Sequence, residues 1–169
     1  MNPTQTMKLP ANYFRFSAPT TLKLSTLAIV GLWCWFFGKF FLRENRPGLL
    51  VALGLCLLGG TILSILVFVS PYSFVANAPE DQIDERELAL RNRAYLSTVQ
   101  YVVVCLLVGL FGSEIAEHRG VVLVPTVFQN FLLCLMITTL IVPAWCLARW
   151  DVDAAVEEAL EEDGASQKT

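Results

Sequence analysis

Four long runs of apolar residues, separated by short polar segments, dominate the chain. The runs cover residues 24–42, 48–70, 94–112 and 121–148, and one charged residue, Lys39, lies within them. A helix rises about 1.5 Å per residue, so about 20 apolar residues cross a hydrocarbon core about 30 Å thick. In lipid a segment must satisfy its own backbone hydrogen bonds. The pattern therefore predicts four transmembrane helices, TM1 to TM4.

The polar segments between the runs predict how the four helices connect. Residues 43–46 and 113–120 are short, so each is expected to join two antiparallel helices, whereas residues 71–93 form a longer middle loop. Pro125 is expected to start the regular part of the overlong TM4, about residues 126–148. We predict an all-α membrane protein of two antiparallel hairpins, with both termini on the same side.

Composition supports this interpretation. Hydrophobic residues make up 55% of the chain and charged residues only 16%, below the roughly 25% of a soluble domain. The mean hydropathy is +0.57. Such segregated charge excludes a soluble globule, a disordered chain and a disulfide scaffold.

Positive charges near the ends of the spans predict the orientation. The side with both termini and the middle loop has eight Lys or Arg residues: Lys8, Arg15, Lys23, Arg86, Arg91, Arg93, Arg149 and Lys168. The other side has four: Lys39, Arg43, Arg46 and Arg119. Both termini and the middle loop are therefore expected in the cytoplasm. The basic tail, residues 1–23, has no signal-peptide pattern, so TM1 is interpreted as a retained signal anchor in the plasma (inner) membrane.

The middle loop contains the most informative polar sequence, Asp84-Glu85-Arg86-Glu87. Asp84 suits a helix N-cap, and Glu87 suits the reciprocal position of a capping box. A helix is expected to start near residue 84 and to run into TM3, whereas Pro71 and Pro79 are expected to keep the start of the loop irregular. We interpret the charges as a solvated helix start; the alternative is a docking surface formed by Asp84, Arg86, Glu87, Arg91 and Arg93.

Asp84-Glu85-Arg86-Glu87, followed by Arg91 and Ala94 at the start of a span, resembles an element of small, uncharacterised bacterial multi-spanning membrane proteins. The resemblance covers about a dozen residues. It implies a bacterial source and no particular activity.

Rows of small residues predict where helices pack closely. The TM2 row has small residues at steps of four: Gly48, Ala52, Cys56, Gly60 and Ser64. The TM3 row follows the same steps but is interrupted at Tyr101: Ser97, Cys105, Gly109 and Ser113. Small residues allow close approach in lipid, where burial of apolar surface no longer drives association. We expect TM2 to pack against TM3 through these rows; the alternative is a homodimer or subunit interface.

Candidate chemistry is sparse. TM2, TM3 and TM4 contain no Asp, Glu, Lys, Arg or His, which argues against proton-coupled transport and intramembrane proteolysis. Glu114, Glu117 and His118 form the one cluster with ligand-like side chains, and we interpret it as a hydrated hairpin. The five cysteines all lie in spans without a Cys-x-x-Cys pair, as expected for packing. We expect no enzymatic activity, cofactor or metal.

Two polar regions near the end of the chain remain. In TM4, Gln129, Asn130 and Pro143 are interpreted as packing residues, with a polar substrate path as the alternative. The tail, residues 149–169, has seven acidic residues by Asp163 and Gly164 as a plausible helix stop. It is interpreted as a solvated, fraying acidic tail, with a recognition helix for a basic partner as the alternative.

These features favour a protein that acts by helix association, as an accessory subunit, assembly factor or scaffold. Its expected partners are the bilayer and a membrane protein or further copies of itself, not nucleic acid. The alternative is a small oligomeric transporter or channel with its path along TM4.

Overall fold

The protein is described by a computed structural model over residues 16–41, 47–79, 84–121 and 124–166. Across these residues it forms five α-helices and no strand: α1 Ala18–Phe41, α2 Pro47–Phe68, α3 Pro71–Asn77, α4 Glu85–His118 and α5 Pro125–Ser166. Four of them, all except α3, are long and apolar enough to cross a membrane. The predicted all-helical fold is confirmed for the described residues, and its four long apolar helices indicate a multi-pass membrane protein. Residues 1–15 of the N-terminal tail and the first short connection lie outside the described ranges.

The four long helices differ in how much of each is buried. In the most apolar window of α5, 61% of the residues are buried within the protein, compared with 33% in α1, 17% in α2 and 11% in α4. The main helix contacts join α1 to α2, α1 to α5 and α4 to α5, whereas α2 and α4 have almost no contact with each other. The protein therefore has a central pair, α1 and α5, flanked by α2 on one side and α4 on the other.

Two apolar clusters fill the central pair. One cluster extends from Ala28 to Val67, Val75 and the last buried turns of the membrane part of α5. The other gathers Leu32, Trp35, Phe36 and Cys134 at a different level of α1 and α5. Because both clusters combine α1 with α5, these two helices form the interior of the bundle.

The short helix α3 corrects the expectation of an irregular stretch after TM2. Pro71 occupies the first turn, where its missing N–H has no partner to lose, and the Ser70 hydroxyl accepts from the Ser73 N–H at 3.4 Å. Tyr72, Val75 and Ala76 are buried. The proline that suggested a break therefore begins a buried helix, which packs mainly against α5.

The start and the end of α4 have clear local causes. Asp84 is the N-cap, and with Glu87 it forms the capping box that the sequence predicts. At the other end Gly120 has a φ of 69°, and its N–H donates to the Glu117 carbonyl oxygen at 2.8 Å. Glycine adopts this left-handed conformation without steric cost and ends the helix.

The predicted partner of the TM2 row was wrong. The row packs against α1: a Cβ atom built on Gly60 would lie 3.0 Å from Leu32 Cγ, and one on Gly31 would lie 3.4 Å from the Cys56 carbonyl oxygen. On α4, a Cβ atom built on Gly109 would lie 2.8 Å from the ring of Phe131 on α5. Each row faces its neighbour along the chain because α2 and α4 lie on opposite flanks of the central pair.

Candidate functional site

Polar contacts of the described residues concentrate where α3 meets α4 and α5. The Tyr72 hydroxyl on α3 donates to Asp151 Oδ2 on α5 at 2.5 Å. Burial, the hydrogen bond to Asp151 and the negative charge of that carboxylate all raise the pKa of Tyr72. The phenol therefore remains protonated over the physiological pH range and attaches α3 to α5.

Two side chains of α4 bind the carbonyl end of α3. Arg91 Nη1 donates to the Ala78 carbonyl oxygen at 2.6 Å, and the Tyr95 hydroxyl donates to the Ala76 carbonyl oxygen at 2.8 Å. The last carbonyl groups of a helix lack partners within the helix and attract donors and positive charge. The three contacts through Tyr72, Arg91 and Tyr95 connect α3, α4 and α5 at one end of the bundle.

The expected surface position of Arg91 is therefore wrong. Only 9% of Arg91 is exposed, because its guanidinium group caps α3. Arg93 places its guanidinium carbon 4.8 Å from the centre of the Trp150 ring, a cation–π contact with α5. The Glu87 carboxylate accepts from the Asp84 N–H at 3.3 Å. Of the five candidate docking residues, Asp84, Arg86 and Arg93 are exposed.

A groove of about 350 Å³ opens beside this end of the bundle, in the gap between α2 and α4. Its walls are mostly apolar and come from four helices: Phe68, Asn77, Tyr95, Thr98, Val99, Val102, Val103, Thr139, Leu140 and Pro143. Phe68, Val99 and Leu140 are more than half exposed, so the groove is open to the surroundings of the bundle. It is a concave site that the sequence pattern did not indicate.

The polar side chains on the groove wall have already used their donors. Asn77 Nδ2 donates to the Ser73 carbonyl oxygen at 2.7 Å and approaches Ser73 Oγ at 3.4 Å, and Tyr95 donates to Ala76. The hydroxyls of Thr98 and Thr139 donate to the Ala94 and Leu135 carbonyl oxygens, each within its own helix. The groups on this wall that can still form hydrogen bonds are therefore acceptor oxygens.

The candidate polar path along TM4 is not brought together. Pro143 is buried and lines the groove, but Gln129 is exposed and Asn130 is half-buried, and neither lines it. Gln129 and Pro143 are 14 positions apart on the helix, about 21 Å along the axis. The polar residues near Pro143 are instead Thr98 on α4 and Thr139 on α5.

A hydrogen-bonded chain at the bundle centre links three helices and was missed in the sequence. Trp33 Nε1 on α1 donates to the Tyr101 hydroxyl on α4 at 2.9 Å, and Tyr101 donates to Thr138 Oγ1 on α5 at 2.9 Å. Thr138 in turn donates to the Cys134 carbonyl oxygen at 2.8 Å. The available signal was Tyr101, the large residue that interrupts the small-residue row of TM3.

The remaining members of the small-residue rows have varied surroundings. In the TM2 row, Ser64 is buried and donates to the Gly60 carbonyl oxygen, whereas Ala52 is exposed and a Cβ atom on Gly48 would meet nothing within 4 Å. In the TM3 row, Ser97 and Ser113 donate to carbonyl oxygens of α4 itself. Cys56 and Cys105 are half-buried free thiols. Contact with another helix is therefore confined to part of each row.

The cluster of ligand-like side chains lies at the C-terminal end of α4. Glu114, Glu117 and His118 are all exposed. Among the described residues no group of three His, Cys, Asp or Glu side chains is arranged to hold a metal ion.

The acidic segment continues α5, and the expected helix stop at Gly164 is wrong. α5 runs through Pro143 and Gly164 to Ser166 as one helix of 42 residues. Arg149 Nε lies 3.8 Å from Asp153 Oδ2, and residues 153–159 are exposed. The charged segment is therefore a helical extension of the most buried span.

Comparison of the chain with protein families, with curated proteins and with solved structures finds no match.

Proposed function

We propose that this is a non-enzymatic membrane protein that acts by helix association, as an accessory subunit, assembly factor or scaffold. In this proposal the spans form two antiparallel hairpins in the plasma (inner) membrane of a bacterium. Both termini and the middle loop face the cytoplasm, where the acidic extension of α5 contacts a basic partner protein.

The observation that supports this proposal is the continuity of α5. Forty-two residues of helix extend about 63 Å, whereas a hydrocarbon core about 30 Å thick needs about 20 residues. Residues 151–166 alone make about 24 Å of helix beyond Trp150. A charged segment that is rigidly joined to the bundle costs less conformational entropy on binding than a flexible tail.

Contacts at its base support a fixed direction for this extension. Asp151 accepts from Tyr72 of α3, and Trp150 lies under Arg93 of α4. Arg149 forms an exposed ion pair with Asp153, one turn further along α5. Helices α3 and α4 thus contact the first turn of the extension, so a partner would meet an acidic surface in a defined position.

The uses of polar side chains in the bundle support a role without catalysis. Trp33, Tyr101 and Thr138 form one chain across three helices, and Ser64 and Thr98 donate to carbonyl oxygens within their own helices. The bonds of Tyr101 with Trp33 and Thr138 join different helices, and interhelical hydrogen bonds stabilise helix association in lipid.

The test is native mass spectrometry of the full-length protein after gentle extraction from its own membrane. We expect a heteromeric complex of fixed stoichiometry that dissociates as salt is raised, because screening weakens contacts between exposed charges. Changing Glu157→Gln together with Glu158→Gln should lower recovery of that complex about tenfold, since two charge contacts near an interface each change affinity by a few fold.

The matched control makes the same charge change at the other end of the bundle, Glu114→Gln with Glu117→Gln. All four glutamates are exposed on helices, so the control should leave the complex unchanged. Recovery of the wild-type protein only as a bare monomer or homo-oligomer would contradict the proposal. Liposome flux assays would then test the alternative transporter or channel, for which no contact among the described residues provides support.

A further inference from the structure

The groove between α2 and α4 has the dimensions of one lipid chain in one leaflet. Along α4 it extends from Tyr95 to Val103, which is about 12 Å of helix. One leaflet supplies about half of a hydrocarbon core about 30 Å thick. The volume of about 350 Å³ lies within the range of about 300–1,000 Å³ that is common for small-ligand sites.

The two ends of the groove differ in chemistry. Asn77 and Tyr95 lie at the end next to α3, whereas Val102 and Val103 lie further along α4. An amphiphile would therefore place its apolar chain along the valines and its polar group beside α3. This direction matches a bilayer lipid whose headgroup lies at the membrane surface near α3.

The polar end selects for a ligand that donates hydrogen bonds. The N–H and O–H donors of Asn77 and Tyr95 are bound to Ser73 and Ala76, so the Asn77 carbonyl oxygen and the Tyr95 hydroxyl oxygen remain as acceptors. A headgroup with N–H donors complements these acceptors. A quaternary ammonium headgroup, which has no N–H, does not.

The described wall of the groove also contains no charged side chain. Arg91 lies one helical turn before Tyr95, but its guanidinium group is bound to the Ala78 carbonyl oxygen and is buried. An uncompensated net charge in an apolar groove is costly. The favoured headgroup therefore has no net charge.

We propose that this groove binds one acyl chain of phosphatidylethanolamine, with the ammonium group donating to the Asn77 carbonyl oxygen and the Tyr95 hydroxyl oxygen. Phosphatidylethanolamine has no net charge and has N–H donors, which are the two properties that the wall selects. This site lies on the flank of the bundle, and the proposal does not depend on a protein partner at the acidic extension.

The test uses the full-length protein in vesicles that contain equal amounts of phosphatidylethanolamine and phosphatidylcholine with identical acyl chains. After gentle extraction, native mass spectrometry counts the lipids that remain bound. We expect one retained lipid, with phosphatidylethanolamine favoured about fivefold, the effect of one or two net hydrogen bonds. Equal retention of the two lipids would overturn the proposal, because with identical acyl chains they differ at the headgroup nitrogen, where three methyl groups of phosphatidylcholine replace the three N–H donors.

Two adjacent valines supply a matched pair of variants. Val103 lines the groove, whereas Val104 is 58% exposed and does not line it. Val103→Phe should fill the groove and lower retention about tenfold, and Val104→Phe should leave retention unchanged. Equal losses in both variants, or no loss in Val103→Phe, would overturn the site, because the bound lipid would then belong to the general lipid layer around the bundle.

The headgroup contact has its own variant. Asn77→Leu should lower the preference for phosphatidylethanolamine from about fivefold to about twofold while the chain still binds, because the Tyr95 hydroxyl oxygen remains as an acceptor. An unchanged preference would contradict the assignment of Asn77 as an acceptor. If this variant fails to fold, the preference of the wild-type protein and the valine pair still decide the question. A third vesicle series with phosphatidylglycerol tests charge, since preferred retention of that anionic lipid would overturn the proposal.

Discussion

The two flanking helices, α2 and α4, are attached to the central pair in different ways. α2 lies close to α1 through glycine: the Leu32 backbone nitrogen would be 3.2 Å from a Cβ atom on Gly60. The hydroxyls of Thr61 and Ser64 on α2 donate only to carbonyl oxygens of α2 itself. The packing between α1 and α2 therefore depends on shape.

The attachment of α4 depends on side chains that reach across. Tyr101 bonds to both central helices, Arg93 covers Trp150, and Tyr95 and Arg91 bind α3. The one glycine contact of α4 is with the ring of Phe131, which is a movable side chain and not backbone. In lipid, burial of apolar surface between helices gains little free energy. Close packing at glycine, as in α2, and contacts between side chains, as in α4, can both hold helices together, and the two should respond differently to substitution.

The largest expected effect is at the glycine contact of α2. Gly60→Leu should destabilise the protein by about 3 kcal/mol, because the new side chain meets Leu32, including its backbone nitrogen, and α1 and α2 must separate. The loss of stability is measured by heating the protein in detergent and quantifying the remaining folded protein by size-exclusion chromatography.

The neighbouring glycine is the control for this prediction. A Cβ atom on Gly59 would meet nothing within 4 Å, so Gly59→Leu should change the unfolding temperature little. If Gly60→Leu were as stable as wild type, close contact between α1 and α2 would be wrong. Equal losses in both variants would indicate that the outer face of α2 is also packed.

A smaller effect is expected at the glycine contact of α4. A Cβ atom on Gly109 would lie 2.8 Å from the far end of the Phe131 ring, but that ring can rotate away. Gly109→Leu should therefore cost about 1–2 kcal/mol. The same unfolding measurement tests this, and a loss larger than that of Gly60→Leu would reverse the proposed difference between the two flanks.

The hydrogen-bonded chain gives the next effect. Tyr101→Phe removes the acceptor for Trp33 and the donor to Thr138, which should cost about 1 kcal/mol, near the values known for hydrogen bonds between membrane helices. Combining it with Trp33→Phe in a double-mutant cycle isolates their coupling. Strictly additive losses would show that the contact between Trp33 and Tyr101 contributes no stability.

The sequence was informative about elements that depend on local chemistry. Run length and hydropathy predicted four spans, and Asp84 with Glu87 predicted the capping box at the start of α4. These features are determined within a few residues of chain, because hydropathy and capping act through immediate neighbours.

Features that depend on which helices become neighbours were not predictable in the same way. Gly60 indicated close packing but not its partner α1, and Arg91 looked like a surface charge until α3 supplied carbonyl oxygens for it. The helix α3 itself was missed because Pro71 was interpreted as a break and not as a first-turn residue. The groove arises from the gap between α2 and α4, which no local pattern records.

The smallest expected effect concerns the cation–π contact that α4 makes with the base of the acidic extension. Arg93→Gln should cost about 0.5 kcal/mol, because the guanidinium carbon lies 4.8 Å from the Trp150 ring centre at an exposed position. Arg86→Gln removes the same charge from an exposed site without this contact, so it should have no measurable effect on stability. A double-mutant cycle tests the contact by measuring the unfolding temperature of each variant. If the contact is specific, Arg93→Gln has no effect in a protein that already contains Trp150→Leu. Equal effects of Arg93→Gln with and without Trp150 would show that this cation–π contact adds no stability. The side chains that attach α4 to its neighbours would then be Tyr101 and the residues that bind α3.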